Sequence, residues 1–505
     1  DHKKMGITAR GAFEAVKRHF RERDVDIMTT PFTVAGVGDM SGDVFGNGML
    51  LAPTIRLVAA FDHRDIFIDP DPDPATSFAG RKRLFELPRS SWQDYDHALL
   101  SPGGGIHPRN AKAIDLSPEA RALLGITDLR PTPQTVMRAI LTLPVDLLWF
   151  GGIGTYMRAA DESDAAAGDK ANDAIRVTAG EVRARVIGEG ANLGVTQRGR
   201  IAYALKGGRC NSDAIDNSAG VNSSDVEVNI KIALGQAVRR GRLDLASRNA
   251  LLASMTDEVA GLVLANNYRQ TLSISMTERR GFEDFGYQRR LMQSLERAGR
   301  LNRAVEFLPD DAELARREKA GQALTRAEIG VLLAYAKLAL KEDLLDSSMP
   351  DDPAVAGELA AYFPSRMREA YAGEIAAHRL HREIVATRLA NAMIDGGGAS
   401  LVTRIADQTG AEPAAIARVF VAARSIFGLD ALDRAIDALD GRIAGAVQLD
   451  LYGAVQDSLI GAMVWLLRNT APGSDPGALI ARFRPGIDAF RTDPTGRMPA
   501  SLADS

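Results

Sequence analysis

The chain has 505 residues, of which 46% are hydrophobic and 25% are charged; this is typical of a folded protein of about three domains and excludes an intrinsically disordered chain. Its 61 Lys and Arg residues nearly balance 65 Asp and Glu residues, and the formal charge of −4 excludes a protein that holds nucleic acid or an anionic membrane through its overall charge. Cys210 is the only cysteine, and no apolar stretch approaches the roughly 20 residues that cross a bilayer, so we expect a cytoplasmic protein without a nucleic-acid or membrane partner.

The start of the chain has neither an initiator Met nor the basic and apolar pattern of a signal peptide. A helical pattern begins almost directly after Asp1. We therefore expect these residues to be part of a longer protein.

Residues up to about 225 combine short β-branched and apolar runs with helical patterns, which is typical of an α/β fold. The helical segments between the runs predict a mostly parallel sheet. The expected strands are Phe32–Ala35, Arg56–Phe61, His97–Leu100, Val145–Phe150, Arg185–Ile187 and Arg209–Asp213.

A glycine-rich segment follows the first expected strand. Residues 33–42 have the sequence Thr-Val-Ala-Gly-Val-Gly-Asp-Met-Ser-Gly, in which Gly-x-Gly-x-x-Ser precedes a helix candidate. In dinucleotide-binding folds the first glycine permits a tight turn, the second lets main-chain amides approach a pyrophosphate, and a small third residue lets the helix pack closely. We assign these roles to Gly36, Gly38 and Ser41, with the helix N-terminus facing the phosphates.

Asp62 follows the next expected strand, where this fingerprint places an acidic residue that binds the ribose 2′-hydroxyl. Its carboxylate would repel a 2′-phosphate, which favours NAD over NADP. The alternative is that the glycines form a tight loop and Asp62 caps a turn. Gly42, Gly46 and Gly48 also make the expected helix a weak one by propensity.

Two further glycine clusters lie just after expected strands, at residues 103–105 and 151–154. In an open parallel sheet the ligand lies outside the carboxyl ends of the strands, so loops at those ends are suited to close contact with it. We expect Gly151 and Gly152 to contact the cofactor. Turn formation alone is the alternative for both clusters.

From about Asp225 onward the pattern changes to long amphipathic helices, and we expect the C-terminal half to be nearly all α. Thr325 and Glu328 have the spacing of a capping box, which predicts a helix start. Two further helices are predicted over Glu383–Met393 and Ala454–Leu467, and a bundle of about 200 residues would bury their apolar faces. The apolar face of the helix that starts at Thr325 is expected to contain Ile329, Leu332, Leu333, Ala336 and Leu340.

These patterns together predict two kinds of domain. The first is a Rossmann-like α/β dinucleotide-binding domain with trailing helices over residues 1–300. The second is an all-α helical domain over residues 301–505.

No metal site is expected. The acidic segment Asp69–Asp73 lacks the glycine and the glutamate that a calcium loop needs at its sixth and twelfth positions. His378 and His381 have the spacing to share one face of a helix, but no third ligand is evident. Cys210 is expected to be a buried, inert thiol.

Five segments resemble, in the same order, those of one family. The chain is similar over residues 1 to about 230 to the C-terminal part of the large bacterial NAD-specific glutamate dehydrogenases, and its helical remainder is consistent with the C-terminal extension of that family. The segments are Asp-His-Lys-Lys-Met-Gly-Ile-Thr-Ala-Arg-Gly at 1–11, Gly36–Asn47, Leu-Trp-Phe-Gly-Gly-Ile-Gly-Thr-Tyr at 148–156, Gly-Glu-Gly-Ala-Asn at 188–192, and Asp-Ala-Ile-Asp-Asn-Ser-Ala-Gly-Val-Asn-Ser-Ser at 213–224.

The resemblance implies further site residues. It places Thr8 near the nicotinamide carboxamide, and Asn192 and Asn217 beside the cofactor. It also implies that Ser224 binds the substrate side-chain carboxylate, but this sequence departs from the family around residues 218–223, so Ser223 is an open alternative. Each Asn or Ser could instead be a turn residue that satisfies its own backbone. The expected cofactor contacts are Thr8, Gly36, Gly38, Asp39, Ser41, Asp62, Gly151, Gly152, Asn192 and Asn217.

The reaction implied by the resemblance is the oxidative deamination of L-glutamate by NAD and water to 2-oxoglutarate, ammonium and NADH. In the family a lysine polarises the carbonyl and a carboxylate moves protons, both on an upstream substrate domain. We find no counterpart of either in residues 1–505, so no catalytic residue is assigned and this segment alone is expected to hold NAD without turning over glutamate.

Two alternatives stay open. One is another amino-acid dehydrogenase of the same superfamily, and the other is a non-catalytic NAD-binding or assembly module. The full-length protein is expected to be a homo-oligomer.

Overall fold

A six-stranded mixed sheet organises the N-terminal part of the chain in the computed structural model, which describes residues 5–492. The six strands lie in the order β4-β3-β2-β1-β5-β8, and β6 pairs with β7 separately. The strands are β1 Phe32–Val37, β2 Ile55–Phe61, β3 Asp65–Ile68, β4 Gly105–Pro108, β5 Leu147–Phe150, β6 Met157–Arg158, β7 Val177–Thr178 and β8 Val186–Glu189.

The centre of the sheet is parallel, as the sequence predicts. β1 pairs with β2 on one side and with β5 on the other, and β8 continues the parallel arrangement beyond β5. The direction of strand succession therefore reverses between β1 and β5. In open α/β sheets, ligands bind at such a reversal, outside the carboxyl ends of the strands.

β3 and β4 extend the sheet in the antiparallel sense, an edge that the sequence analysis missed. A tight turn joins β2 to β3, in which the Asp62 N–H donates to the Asp65 carbonyl at 3.0 Å. The side chain of Asp62 supports this turn because its Oδ1 accepts the N–H groups of Arg64 at 2.7 Å and Asp65 at 2.6 Å. Since no helix separates the two strands, the chain returns antiparallel.

Two of the expected strands are wrong. Residues His97–Leu99 form a 3-10 helix, because the carboxylate of Asp96 accepts the Ala98 N–H at 3.0 Å and so caps a helical turn. The segment expected over Arg209–Asp213 contributes one isolated parallel bridge, between Arg209 and Val186, and then turns into a short helix at Asp213.

Helices cover both faces of the sheet. Neighbouring residues of a strand point to opposite faces, so Trp149 packs in the core under the first helix while Phe150 packs in the opposite core. The helices are α1 Ile7–Arg21, α2 Asp43–Gly48, α3 Pro74–Glu86, α4 Pro118–Leu124, α5 Pro133–Leu141, α6 Asp164–Ala167, α7 Gln197–Leu205, α8 Asp213–Asp216, α9 Ser218–Arg239, α10 Leu245–Ser254, α11 Thr256–Arg280, α12 Phe282–Arg297, α13 Asp311–Lys319, α14 Arg326–Leu345, α15 Ala356–Tyr362, α16 Ser365–Ala370, α17 Ala372–Ala376, α18 His381–Gly397, α19 Leu401–Thr409, α20 Pro413–Ile426, α21 Leu429–Asp437, α22 Gly445–Asn469 and α23 Pro476–Thr492.

The C-terminal half is helical, as predicted, and the described residues after Glu189 contain no strand. The capping box is confirmed: the N–H and the hydroxyl of Thr325 both donate to the Glu328 carboxylate at 2.8 Å, directly before α14. α18 and α22 contain the two other predicted helices. The expected apolar face of α14 is buried at all five positions, Ile329, Leu332, Leu333, Ala336 and Leu340.

The chain divides into two compact units. The first contains the sheet and consists of the residues up to Asn229 with Asn249–Ile274 and Arg303–Val331. The second is helical and consists of Ile230–Arg248, Ser275–Asn302 and the residues from Leu332 onward. Within it, α20 packs against α22 and α23, and α15 packs against α18. The domain boundary at residue 300 stays a prediction.

An α/β sheet region followed by a mostly helical region therefore agrees with the predicted fold class. Within residues 5–492, no helix combines the length and the apolar character that crossing a membrane requires.

Candidate functional site

The loops at the carboxyl ends of β2, β1, β5 and β8 lie side by side. In each case the N–H of a residue just beyond a strand donates to the last carbonyl of the neighbouring strand. The three bonds join Gly38 to Phe61 at 2.7 Å, Gly151 to Val37 at 2.9 Å, and Ala191 to Phe150 at 2.8 Å. The predicted residues Gly38, Asp62, Gly151 and Asn192 are thereby brought to one edge of the sheet.

The two glycines of the fingerprint have different local roles from those expected. Gly36 lies inside β1 and not in a turn, and it is required because a Cβ atom there would lie 2.8 Å from the Phe45 ring and 2.9 Å from the Trp149 carbonyl. The turn comes at Gly38, whose φ of 140° is unfavourable for other residues. Gly152 lies close by, since its Cβ position is 3.5 Å from the Gly38 Cα.

Two main-chain amides of this loop already have acceptors within the protein. The Gly38 N–H donates to Phe61, and the Gly42 N–H donates to Oδ1 of Asp39 at 2.9 Å. The following helix, α2, has only 6 residues and carries Asp43 in its first turn, so its positive end is weak.

Ser41 does not provide the close helix packing expected of it. Its side chain is exposed, and its hydroxyl donates to Oδ1 of Asp39 at 2.8 Å. The close packing comes instead from the glycines that weaken the helix by propensity. A Cβ atom at Gly46 would collide with the Met40 carbonyl, and one at Gly48 would lie 2.7 Å from the Trp149 ring.

Asp39 and Asp62 form a buried acidic pair at the ends of β1 and β2. Both side chains are buried, with exposed fractions of 7% and 4%. Oδ1 of Asp62 is used by the turn, whereas its Oδ2 is buried and accepts no hydrogen bond from any residue between 5 and 492. A buried carboxylate oxygen without a donor is unfavourable in the free protein, so it is suited to receive a ligand hydroxyl.

The two carboxyl groups differ in acidity. Burial, together with the neighbouring Asp39 carboxylate, raises the pKa of Asp62 to about 6. Burial by itself would also raise the pKa of Asp39, but the adjacent Asp62 carboxyl group, the Ser41 hydroxyl and the Arg64 guanidinium hold that pKa below its ordinary value. Asp39 therefore loses its proton at a lower pH than Asp62.

Arg64 is the cation of this cluster, and the sequence analysis missed it. Its Nη2 donates to Oδ2 of Asp39 at 2.7 Å, and its Nε lies 3.6 Å from Oδ2 of Asp62. Asp39, Asp62 and His63 also bring one possible metal-ligand atom each within 4.8 Å of one another, although no metal site was predicted. The guanidinium already supplies positive charge at this position.

Thr8, Asn192 and Asn217 form the other end of the candidate site. The amide of Asn217 donates to the side-chain carbonyl of Asn192, which joins the loop after β8 to the loop before α9. Thr8 lies over Gly220, since a Cβ atom at Gly220 would be 2.5 Å from its hydroxyl oxygen. The structure thus joins Asn192 to Asn217, and it places Thr8 against the first turn of α9, which begins directly after Asn217.

Ser223 and Ser224 lie one turn further along α9 and donate their hydroxyl groups to the Gly220 carbonyl, at 2.9 Å and 3.2 Å. Ser223 is buried, whereas Ser224 is half-buried and therefore more accessible to a ligand.

A buried polar network lies beneath the two asparagines, and it was not predicted. Arg200 donates two hydrogen bonds of 2.7 Å to the fully buried carboxylate of Glu189. Asp216 accepts the Glu189 N–H at 3.1 Å and the Asn211 amide at 2.8 Å. Because Glu189 and Asp216 precede Asn192 and Asn217 closely in the chain, these bonds fix the backbone from which both asparagines project. The sequence contains one hint of this network, which is that Glu189 and Asp216 lie inside the motifs that contain Asn192 and Asn217.

Three apolar side chains are exposed in these loops and in the first turn of α9. Ile153 is 95% exposed, Leu193 is 67% exposed and Val221 is 68% exposed. Leu193 also has a φ of 61°, which is uncommon for a residue with a branched side chain, and its N–H donates to Asp213 at 2.8 Å. Cys210 is buried, as expected, and burial raises the pKa of its thiol.

Comparison with known proteins confirms the resemblance. Residues 1–277 match the family described as bacterial NAD-glutamate dehydrogenase, catalytic domain, and residues 321–504 match the family described as glutamate dehydrogenase, C-terminal. The chain is also similar to three curated proteins named NAD-specific glutamate dehydrogenase.

The relative from Halomonas elongata is 50% identical over 468 residues, which is 93% of this chain and 29% of the relative. Those from Pseudomonas aeruginosa and Mycobacterium tuberculosis are 48% and 49% identical, over 97% of this chain and 30% of each relative. The chain thus spans about 30% of the length of the relatives that it matches. It belongs to the bacterial NAD-glutamate dehydrogenase family.

Proposed function

We propose that the protein that contains this chain is an NAD-dependent glutamate dehydrogenase and that residues of the first unit bind NAD in a Rossmann-like arrangement. The observation that carries this proposal is the buried Oδ2 of Asp62, which lacks a donor and lies at the carboxyl end of β2 beside the Gly38 and Gly151 loops. A parallel sheet whose strand order reverses between β1 and β5 supports it.

The residues of this site fit NAD. Asp62 offers an acceptor for the hydroxyl groups of the adenosine ribose, and the loops that begin at Gly38 and Gly151 offer close main-chain approach for the pyrophosphate. Thr8, Asn192 and Asn217 offer hydroxyl and amide groups for the nicotinamide end. When bound, NAD accepts a hydride from the α-carbon of the substrate.

The chemical step also needs groups that we place outside these 505 residues. A lysine that polarises the carbonyl and a carboxylate that moves protons are proposed to come from another part of the protein. Ser224, with Ser223 as the alternative, is proposed to bind the substrate side-chain carboxylate. Ser224 is favoured because it is the more accessible of the two hydroxyl groups.

Calorimetric titration of the protein with NAD and NADP tests the cofactor assignment. NAD is expected to bind more tightly, and Asp62→Ala is expected to weaken NAD by about 10- to 100-fold, the usual range for a hydrogen bond to a charged group. Asp71→Ala is a matched control, because this carboxylate is 82% exposed. Equal NAD affinity of D62A and the unaltered protein would refute the assignment.

Activity measurements separate the substrate alternatives. The full-length protein is expected to oxidise glutamate faster than leucine, since a polar serine disfavours an apolar side chain. Residues 1–505 alone are expected to bind NAD without turnover. Normal turnover by them would disprove the placement of the catalytic groups elsewhere, and NAD binding by a full-length protein without turnover would favour a non-catalytic module.

A cytoplasmic location, a homo-oligomeric state and the absence of a metal stay predictions.

A further inference from the structure

A basic cavity of about 380 Å³ lies at the start of β8, at the opposite end of that strand from the candidate NAD site. Arg185, which directly precedes β8, lines it, whereas Asn192 follows the other end of the strand. The four residues of β8 separate the two places by roughly 13 Å, at about 3.3 Å per residue. The cavity volume lies within the usual range for small-molecule sites, about 300–1,000 Å³.

The charged lining of this cavity has a single sign. Arg23, Arg183, Arg185 and Lys206 line it, and among the described lining residues none is acidic. Arg185 has a partner outside the cavity, Asp146, at 3.0 Å. Arg183 uses its Nε to donate to the Thr142 carbonyl at 2.8 Å. Its Nη groups have no acceptor among residues 5–492.

Three of these cations have no ion-pair partner in the described part of the chain. Within residues 5–492, no carboxylate forms an ion pair with Arg23, Arg183 or Lys206. Cations gathered around a concave surface without acids raise the local positive potential, which attracts anions. An arginine fork and a lysine ammonium are the two side-chain groups that bind phosphate most often.

Tyr203 connects the two backbone segments that form the wall of the cavity. Gly207 has a φ of 89°, and Gly208 rests against the ring of Tyr203. The hydroxyl of Tyr203 in turn donates to the Ala184 carbonyl at 2.6 Å, which ties the loop to the segment before β8. These contacts define the backbone wall of the cavity, and the four cations of the lining project from it as exposed side chains.

The position of Lys206 depends on a glycine. A Cβ atom at Gly180 would lie 2.6 Å from its Nζ, so the ammonium occupies space that a side chain would fill. This places the charge beside Gly180, which directly follows the lining residue Ala179.

The residues behind the cavity add no net charge to it. Arg209, next to Gly208, contacts His19 and pairs with Glu22. The pKa of His19 lies well below its ordinary value because of burial and because of nearby arginines, among them Arg209. The histidine therefore stays neutral and adds no further charge.

We propose that this cavity is a second binding site, which takes a small polyvalent phosphate anion. The anion contacts Arg183 and Lys206, and Arg23 and Arg185 add positive charge to the same lining. Free inorganic polyphosphate and the phosphates of a nucleotide share this chemistry.

Calorimetric titration of the full-length protein with inorganic pyrophosphate, in the presence of saturating NAD, tests the proposal. One pyrophosphate is expected to bind per chain at 0.15 M salt. Arg183→Gln with Lys206→Gln is expected to weaken it by about tenfold or more, since both charge-assisted bonds are lost. Lys82→Gln with Arg130→Gln removes the same charge from exposed positions outside the cavity and should leave affinity unchanged.

A parallel titration with ADP distinguishes the sources of the phosphate. Binding tighter than that of pyrophosphate, and lost in R183Q/K206Q, identifies a nucleotide site; equal or weaker binding identifies a site for the phosphates alone. Mass-spectrometric footprinting with an amine acylating reagent adds an independent readout, in which pyrophosphate should protect Lys206 and not Lys82. Absence of binding, or the same loss in the control variant, overturns the proposal.

Discussion

The guanidinium of Arg64 donates a hydrogen bond to the Asp39 carboxylate, with 2.7 Å between Nη2 and Oδ2. This contact directs the cation toward β1 and leaves the buried Oδ2 of Asp62 without a donor. An arginine near the end of the second strand is the group that accommodates the 2′-phosphate of NADP in related folds. We therefore expect the Asp39 carboxylate to keep this arginine from binding the 2′-phosphate of NADP.

The first prediction concerns cofactor choice. Asp39→Asn retains the shape of the side chain but releases Arg64, so the NADP affinity is expected to rise by about tenfold relative to NAD. Titration of both cofactors measures the ratio. The gain should disappear in the double variant D39N/R64Q; an unchanged ratio in D39N would show that the ion pair has no part in selection.

The second prediction concerns the pH dependence of NAD binding. Since burial raises the pKa of Asp62 to about 6, the carboxylate is protonated below that pH and is a poorer acceptor for ribose hydroxyl groups. NAD affinity is expected to rise as the pH increases from 5 to 7. In Asp62→Asn this rise should be absent, and a rise of the same size in the variant would assign it to another group.

The third prediction tests the buried pair under Asn192. Arg200→Met leaves the Glu189 carboxylate buried without its cation, and the free energy of unfolding is expected to fall by about 3–5 kcal/mol. Arg198→Met on the same helix removes an exposed pair with Asp161 and is expected to change it by about 1 kcal/mol or less. Urea denaturation measures both. Similar values for the two variants would contradict the role of the Glu189–Arg200 pair.

The fourth prediction concerns Asp216, whose pKa burial raises to about 7. Between the ordinary carboxyl pKa of about 3.9 and this value, the folded state binds more protons than the unfolded state. The contribution of Asp216 to stability is therefore fully present below about pH 4 and is lost as the pH rises through 7.

Asp216→Asn should remove this pH dependence. The variant should also be less stable by an amount that does not change with pH, because its amide offers one acceptor fewer to Asn211 and Glu189. Unfolding measured at several pH values from 4 to 8 gives the difference between the variant and the unaltered protein. A pH-independent difference would mean that Asp216 is ionised throughout this range.

Several elements could be predicted because their signals are local. β1 and β2 are apolar runs that end at glycine or aspartate, and α14 follows a capping box whose partners are three residues apart. The helical character of the chain after Asp225 needs only the spacing of apolar residues. The family resemblance likewise depends on short contiguous motifs.

The missed elements depend on contacts between distant parts of the chain. β3 has only four residues and follows a tight turn, so no helical pattern separates it from β2 in the sequence. The segment at His97 becomes helical through a single cap. The role of Gly36 follows from the Phe45 ring, which approaches only after α2 has folded back on the sheet.

The residue types of the site were thus readable along the chain, because each motif is contiguous and chemically distinctive. Their working arrangement was not, since Asp39 meets Arg64 and Asp62 only when β1 and β2 pair, and Asn192 meets Asn217 only when β8 lies beside α8. Charge pairing and burial depend on which residues are close in space, and the spacing of residues along the chain does not give this. The acidities of Asp62 and Asp216 and the basic cavity at the start of β8 arise in the same way from folding.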